Sequence, residues 1–342
     1  MSSSQLESVA RDIVAPGKGI LAADESGGTI EKRFKSIRVE STEERRQFYR
    51  ETLFTTPGVE EFVSGVILFD ETIRQTSTDG TPFPELLAGK GIHPGIKVDK
   101  GAKALAGFPD EKITEGLDAL RERLAEYAEL GAKFTKWRAV ITIGHAMPTS
   151  FCVDANAHAL ARYAALSQEV GLVPIVEPEV LMDGTHTIER CEQVTEWTLK
   201  RVYMALHYHR VKLEGTLLKP NMVLSGKECE AQANIEQVAL ATVRCLRNSV
   251  PATVPGIVFL SGGQTDEAAT EHLNAMNAIG NHPWELSFSY GRALQAPALK
   301  AWAGKDANRT AAQKAYFHRA KMNGVARYGT YSSEMEKEFV TA

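Results

Sequence analysis

Eight short runs rich in β-forming residues recur along the chain, and stretches with helical periodicity lie between them. The runs are Gly19 to Asp24, Gly65 to Thr72, Gly95 to Lys100, Ala132 to Val140, Leu172 to Val180, Gly215 to Met222, Gly256 to Gly263 and Leu286 to Leu294. Parallel strands need helical crossovers, so eight alternations over roughly 275 residues predict a closed (β/α)8 barrel, a TIM barrel with its site at the strands' C-terminal ends. An open doubly wound sheet competes. It would carry GxGxxG after its first strand, whereas that run leads into Asp24-Glu25-Ser26-Gly27-Gly28, which lacks the spacing.

Among the helices, Ile113, Leu117, Leu120, Leu124 and Tyr127 fall on one stripe that ends near Gly131. Residues 155–170, 189–207, 235–247, 266–278 and 309–324 also read as helices. No linker or low-complexity segment divides the chain, which predicts one catalytic domain over residues 1–326. Residues 1–18 are expected to decorate the barrel's entrance, and the polar residues 327–342 read as a flexible tail.

Composition excludes several functions. The 342 residues are 43% apolar and 24% charged with a net charge of -4, which fits an ordinary soluble globular protein and not a nucleic-acid binder. No apolar run approaches the roughly 20 residues needed to span a bilayer, and the polar start lacks secretory features, so no membrane association and a cytoplasmic location are expected. The four cysteines show no CxxC pair and no metal-ligand spacing.

Polar residues cluster where the predicted strands end. Asp24, Lys97, Lys136 with Arg138, Glu177 with Glu179, Lys219, Ser261-Gly262-Gly263 and Arg292 would all face one mouth. Lys219 closes the apolar run Leu217-Leu218, where burial disfavours the ammonium form and leaves an amine able to attack a ketone. Imine formation needs a proton donor, a role suited to Glu177, and Asp24 can take a proton from a substrate hydroxyl as a carbon-carbon bond breaks. Ser261-Gly262-Gly263, with Arg292 read as part of the eighth strand, suits a phosphate. Ser26, Lys32, Arg33, Lys97 and Arg138 form a second cationic zone. Two such zones flanking a nucleophile suit a sugar phosphorylated at both ends.

The motifs GILAADES, GIKVDKG, KWRAV, PIVEPE, LLKPNM, FLSGGQ and LSFSYGRALQ, in order from about Ala15 to about Ala303, resemble the class I, Schiff-base fructose-1,6-bisphosphate aldolases. The resemblance implies reversible cleavage of fructose 1,6-bisphosphate to dihydroxyacetone phosphate and glyceraldehyde 3-phosphate, in glycolysis and gluconeogenesis. It implies Lys219 as the Schiff-base lysine, Glu177 as principal acid and base, Glu179 as electrostatic support, Asp24 at the C4 hydroxyl and Lys136 in proton transfer. By the same resemblance, Ser261, Gly262, Gly263 and Arg292 hold the C1 phosphate, and the second zone receives the C6 phosphate. The iminium is the electron sink, so no metal or other cofactor is required, and a homotetramer is expected.

Two departures stand out. Gly27-Gly28-Thr29 follows Ser26 where many relatives have Thr-Gly-Ser, which is expected to loosen the second phosphate loop. The chain ends Glu338-Phe339-Val340-Thr341-Ala342 without the terminal tyrosine of the animal enzymes, leaving Tyr328 and Tyr331 as candidate substitutes in proton exchange at C3. Rival readings are a zinc-dependent class II aldolase drawing on His207 and His209, a transaldolase, and a polyanion- or filament-binding scaffold.

Overall fold

A computed structural model describes residues 3–339. Eight parallel strands close into a barrel: β1 Gly19–Ala23, β2 Val63–Leu68, β3 His93–Lys97, β4 Phe134–Ile141, β5 Val173–Val180, β6 Leu217–Leu218, β7 Gly256–Phe259 and β8 Glu285–Tyr290. Each strand pairs with its sequence neighbours, and β1 pairs with β8 to complete the ring. The expected (β/α)8 barrel is the observed fold.

Several boundaries differ from the sequence reading, each for a local reason. Strand β6 is only two residues long because Pro220 has no N–H to continue the ladder, although Lys219 N–H still reaches Val176 O at 2.8 Å. Strand β8 stops at Tyr290. Arg292 therefore opens the next helix, Arg292–Trp302, and is not on the strand. The Ile113 stripe also divides, since Lys112–Thr114 pairs with Ala102–Ala104 in a hairpin and the helix runs only from Leu120 to Glu129. Thr42, Thr149, Thr187 and Thr265 cap helices by accepting a hydrogen bond from the N–H three residues on.

Strand alternation builds two cores. Outward residues such as Leu21, Trp137, Val176 and Leu218 pack under the helices, while Ile20, Ala22, Phe134, Ile175, Leu217 and Val258 fill the barrel. Close approach shapes this interior. A methyl group on Gly95 would lie 2.3 Å from the Phe134 ring and one on Gly65 3.1 Å from it, so the ring occupies space that only these glycines leave open.

The chain's ends depart from expectation. Helix Ser3–Ile13 packs Leu6, Ala10 and Ile13 onto the interior cluster. Its partners Ser64, Gly215 and Gly256 lie where strands begin, so this segment closes the bottom of the barrel and does not decorate the entrance. Each fully buried leucine or isoleucine there contributes about 1.5–3 kcal/mol. Residues 327–337, expected to form a flexible tail, pack on the same body. Arg327 is buried and donates to the carbonyls of Ala15 and Val14, and Glu336 accepts from His318, Arg319 and Tyr331. The expected boundary after residue 326 falls inside packed structure, and Val340, Thr341 and Ala342 lie outside the described residues.

Candidate active site

Four charged groups stand directly on the apolar filling of the barrel, each two residues beyond an interior side chain. Asp24 follows Ala22, Lys136 follows Phe134, Glu177 follows Ile175 and Lys219 follows Leu217, so strand period alone lifts them into one layer. They form a chain of alternating sign. Lys219 Nζ lies 3.2 Å from Glu177 Oε1, Lys136 Nζ lies 3.2 Å from Glu177 Oε2, and Lys136 Nζ lies 2.7 Å from Asp24 Oδ2. All but Asp24 are at least 95% buried at the side chain, and Glu177 Oε2 faces the Lys136 ammonium without a directed hydrogen bond.

Electrostatics follow from this packing. Burial pushes the Asp24 carboxyl up, but Lys136, then Lys219 and Lys97, outweigh it and hold the group well below the usual carboxylate range. Burial likewise pulls the Lys136 ammonium down, and Asp24, Glu177 and Asp99 overcome that and raise it. Lys136 is therefore the fixed cation of the layer.

Above these groups opens a cavity of about 770 Å³, and every residue placed from sequence at the strands' ends or in the two phosphate zones lines it. On one side, Ser261 is followed by Gly262 and Gly263 at φ +56° and +89°, a turn in which neither glycine N–H has an intramolecular partner among the described residues. Arg292 reaches this turn from the start of its helix, where unpaired N–H groups and the helix dipole favour an anion. Gln264 ties the turn down, donating to Ser261 O and accepting from His272 Nδ1.

On the other side, Ser26 begins helix Gly27–Ser36 with its hydroxyl uncommitted to a cap. Gly27 and Gly28 lie in the first turn of that helix with open space around them. Lys32, Arg33, Lys97 and Arg138 supply the charge there. Three of them come already paired, Arg33 with Glu25, Lys97 with Asp99 at 2.6 Å, and Arg138 with Glu179. Burial pulls the Arg138 guanidinium down, but Glu179 keeps it charged.

Sequence reasoning overlooked Asp99, Glu25 and Lys227. Asp99 also accepts from Arg138 N–H, and Glu25 joins Arg33, Arg50 and Gln295, so both fix cations in the cavity wall. Asp99 and Glu25 lie inside motifs already singled out, GIKVDKG and GILAADES, which was a usable signal. Tyr328 and Tyr331 do not reach the cavity: Tyr328 covers Gly17 at the barrel's base and Tyr331 bonds Glu336. His209 meets His158 at 3.3 Å on the outer helices, far from the mouth. No helix among the described residues is long and apolar enough to cross a membrane.

Residues 5–341 match the family described as Glycolytic: Fructose-bisphosphate aldolase class-I. The chain belongs to the class I fructose-bisphosphate aldolases. It is 60% identical to a probable fructose-bisphosphate aldolase class 1 of Xanthomonas axonopodis pv. citri, over 97% of this chain and 99% of that one. It is 53% identical to fructose-bisphosphate aldolase 1 of Toxoplasma gondii, over 99% and 96%. A co-crystal structure of fructose-bisphosphate aldolase from Plasmodium falciparum, in complex with TRAP and a small-molecule inhibitor, superimposes with a TM-score of 0.95 at 50% identity over 96% of each chain. As an aldolase of this class, the protein is an aldehyde-lyase.

Proposed function

We propose that the layer Lys219–Glu177–Lys136–Asp24 carries out reversible cleavage of fructose 1,6-bisphosphate through an imine. The observation that supports this reading is Glu177, whose two oxygens face two different lysines. Unprotonated Lys219 Nζ adds to the C2 ketone of the open-chain sugar, and Glu177 delivers the proton with which the carbinolamine hydroxyl leaves as water. Asp24 accepts the C4 hydroxyl proton as the C3–C4 bond breaks and its electron pair moves into the iminium. Glyceraldehyde 3-phosphate departs, and the enamine gains a proton at C3 before hydrolysis frees dihydroxyacetone phosphate and the lysine. Lys136 keeps Asp24 ionised for this role, while Glu179 acts through Arg138.

In this reading the C1 phosphate occupies the Ser261-Gly262-Gly263 turn with Arg292, and the C6 phosphate meets Ser26, Lys32, Arg33, Lys97 and Arg138. A cytoplasmic homotetramer acting in glycolysis and gluconeogenesis completes it. Borohydride reduction in the presence of dihydroxyacetone phosphate, followed by peptide mass mapping, tests the nucleophile. The expected adduct is on Lys219, and an adduct elsewhere or none overturns the assignment.

A further inference from the structure

The segment after β6 brings an additional cation to the mouth. Gly226, Lys227 and Glu228 donate their backbone N–H groups to His186 O at 2.8 Å, Met182 O at 2.8 Å and Gly184 O at 3.0 Å. The stem of Lys227 is thus laced to the loop that follows β5. Its side chain reaches the Gly-Gly turn: a methyl group on Gly263 would lie 3.0 Å from Lys227 Nζ and 3.1 Å from Arg292 Nη2. The two cationic heads are therefore within about 6 Å of each other, an approach that is unfavourable unless an anion lies between them. Asp183 binds Lys227 Nζ at 2.9 Å but is 63% exposed, and no carboxylate pairs with Arg292 among the described residues.

We propose that Lys227 is a second cationic ligand for the phosphate on the ketone-bearing triose, closing over the Gly262-Gly263 turn opposite Arg292. The inference rests on reading that turn as the C1-phosphate end. A phosphate monoester carries close to two negative charges at neutral pH, which one arginine only half balances. Arg292 offers a planar fork, whereas Lys227 offers a compact charge on a flexible stem that can follow the ligand as it enters. Asp183 holds the amine near the turn while the site is empty and shares it when phosphate binds.

Steady-state kinetics in the condensation direction separate the two ends of the substrate, because dihydroxyacetone phosphate brings the C1 phosphate and glyceraldehyde 3-phosphate the C6 phosphate. For Lys227→Met the KM for dihydroxyacetone phosphate is expected to rise about tenfold, a value discounted for partial exposure of the ion pair. The KM for glyceraldehyde 3-phosphate should stay within about twofold, Lys227→Arg should restore most of the loss, and Asp183→Asn should not raise either KM. If Lys227 merely pairs with Asp183 for stability, both Lys227→Met and Asp183→Asn lower Tm alike and leave the two KM values unselective, which overturns the inference. Arg292→Ala distinguishes the failures. Should it raise the KM for dihydroxyacetone phosphate where Lys227→Met does not, Lys227 is no ligand but the phosphate end stands; should neither act, the phosphate end itself is misassigned.

Discussion

Replacing Lys136 with methionine removes the cation of the buried layer while keeping nearly its volume. Lys136 Nζ stands 2.7 Å from Asp24 Oδ2 and 3.2 Å from Glu177 Oε2, so the variant leaves two carboxylate oxygens facing each other across at most about 6 Å. At an effective dielectric constant of about 20 their repulsion is about 3 kcal/mol, equivalent to about a hundredfold in a protonation equilibrium. Breaking a buried ion pair from one side costs about 3–5 kcal/mol in all. The sign of the pH dependence follows from Asp24. Its folded carboxyl is held well below the unfolded value by Lys136, so the stabilisation is fully present above about pH 4 and declines progressively as pH falls from there toward the folded value. Urea unfolding of Lys136→Met should show its full deficit at pH 7 and a smaller one near pH 3.5, with kcat for cleavage down about 10²- to 10⁴-fold. A deficit that stays constant with pH refutes the reasoning, because it makes Lys136 a packing residue.

Other perturbations probe the supports of the site. Glu336 is pushed up by burial but held down to about 2, chiefly by His318 and Arg319, so docking of residues 327–337 should persist above about pH 4.5 and weaken as pH falls toward 2. Glu336→Gln should speed hydrogen exchange in that segment at neutral pH, reflecting a local loss of about 1–3 kcal/mol. His272, buried and lowered to about 4, stays neutral in the fold and donates to Gln264; its contribution is present above about pH 6.5 and is lost as pH falls toward 4. His272→Gln should flatten the dependence of Tm on pH across that window. Thr149 caps helix Ser150–Glu169 and its hydroxyl and N–H both bind buried Glu111, so Thr149→Ala should cost about 1–2 kcal/mol by urea unfolding.

The barrel and its site were legible because parallel strands impose period two, which carries charges such as Lys136 and Glu177 onto the same side as the apolar residues beneath them. Position along the chain said less about Arg292, where Gly291 ends the strand without a change in hydrophobic pattern. The Ile113 stripe misled because a hairpin strand and a helix can share apolar spacing over few residues. Asp99 and Glu25 lay within motifs already read, but which cation each one fixes became visible only once Lys97 and Arg33 were placed beside them. The course of residues 327–337 was hidden for a similar reason, since Arg327 is buried and Glu336 half-buried in ion pairs that polarity alone reads as exposure.

The glycines at 65 and 95 set the height of the reactive floor. Both leave room for the Phe134 ring, and Lys136 rises from the same strand two residues above it. A side chain at Gly95 would have to displace that ring by more than a tenth of a nanometre to reach ordinary contact, in a close-packed interior with little slack. Two residues outside the charged layer thereby act as a spacer, seating the ring from whose strand Lys136 rises to meet Asp24.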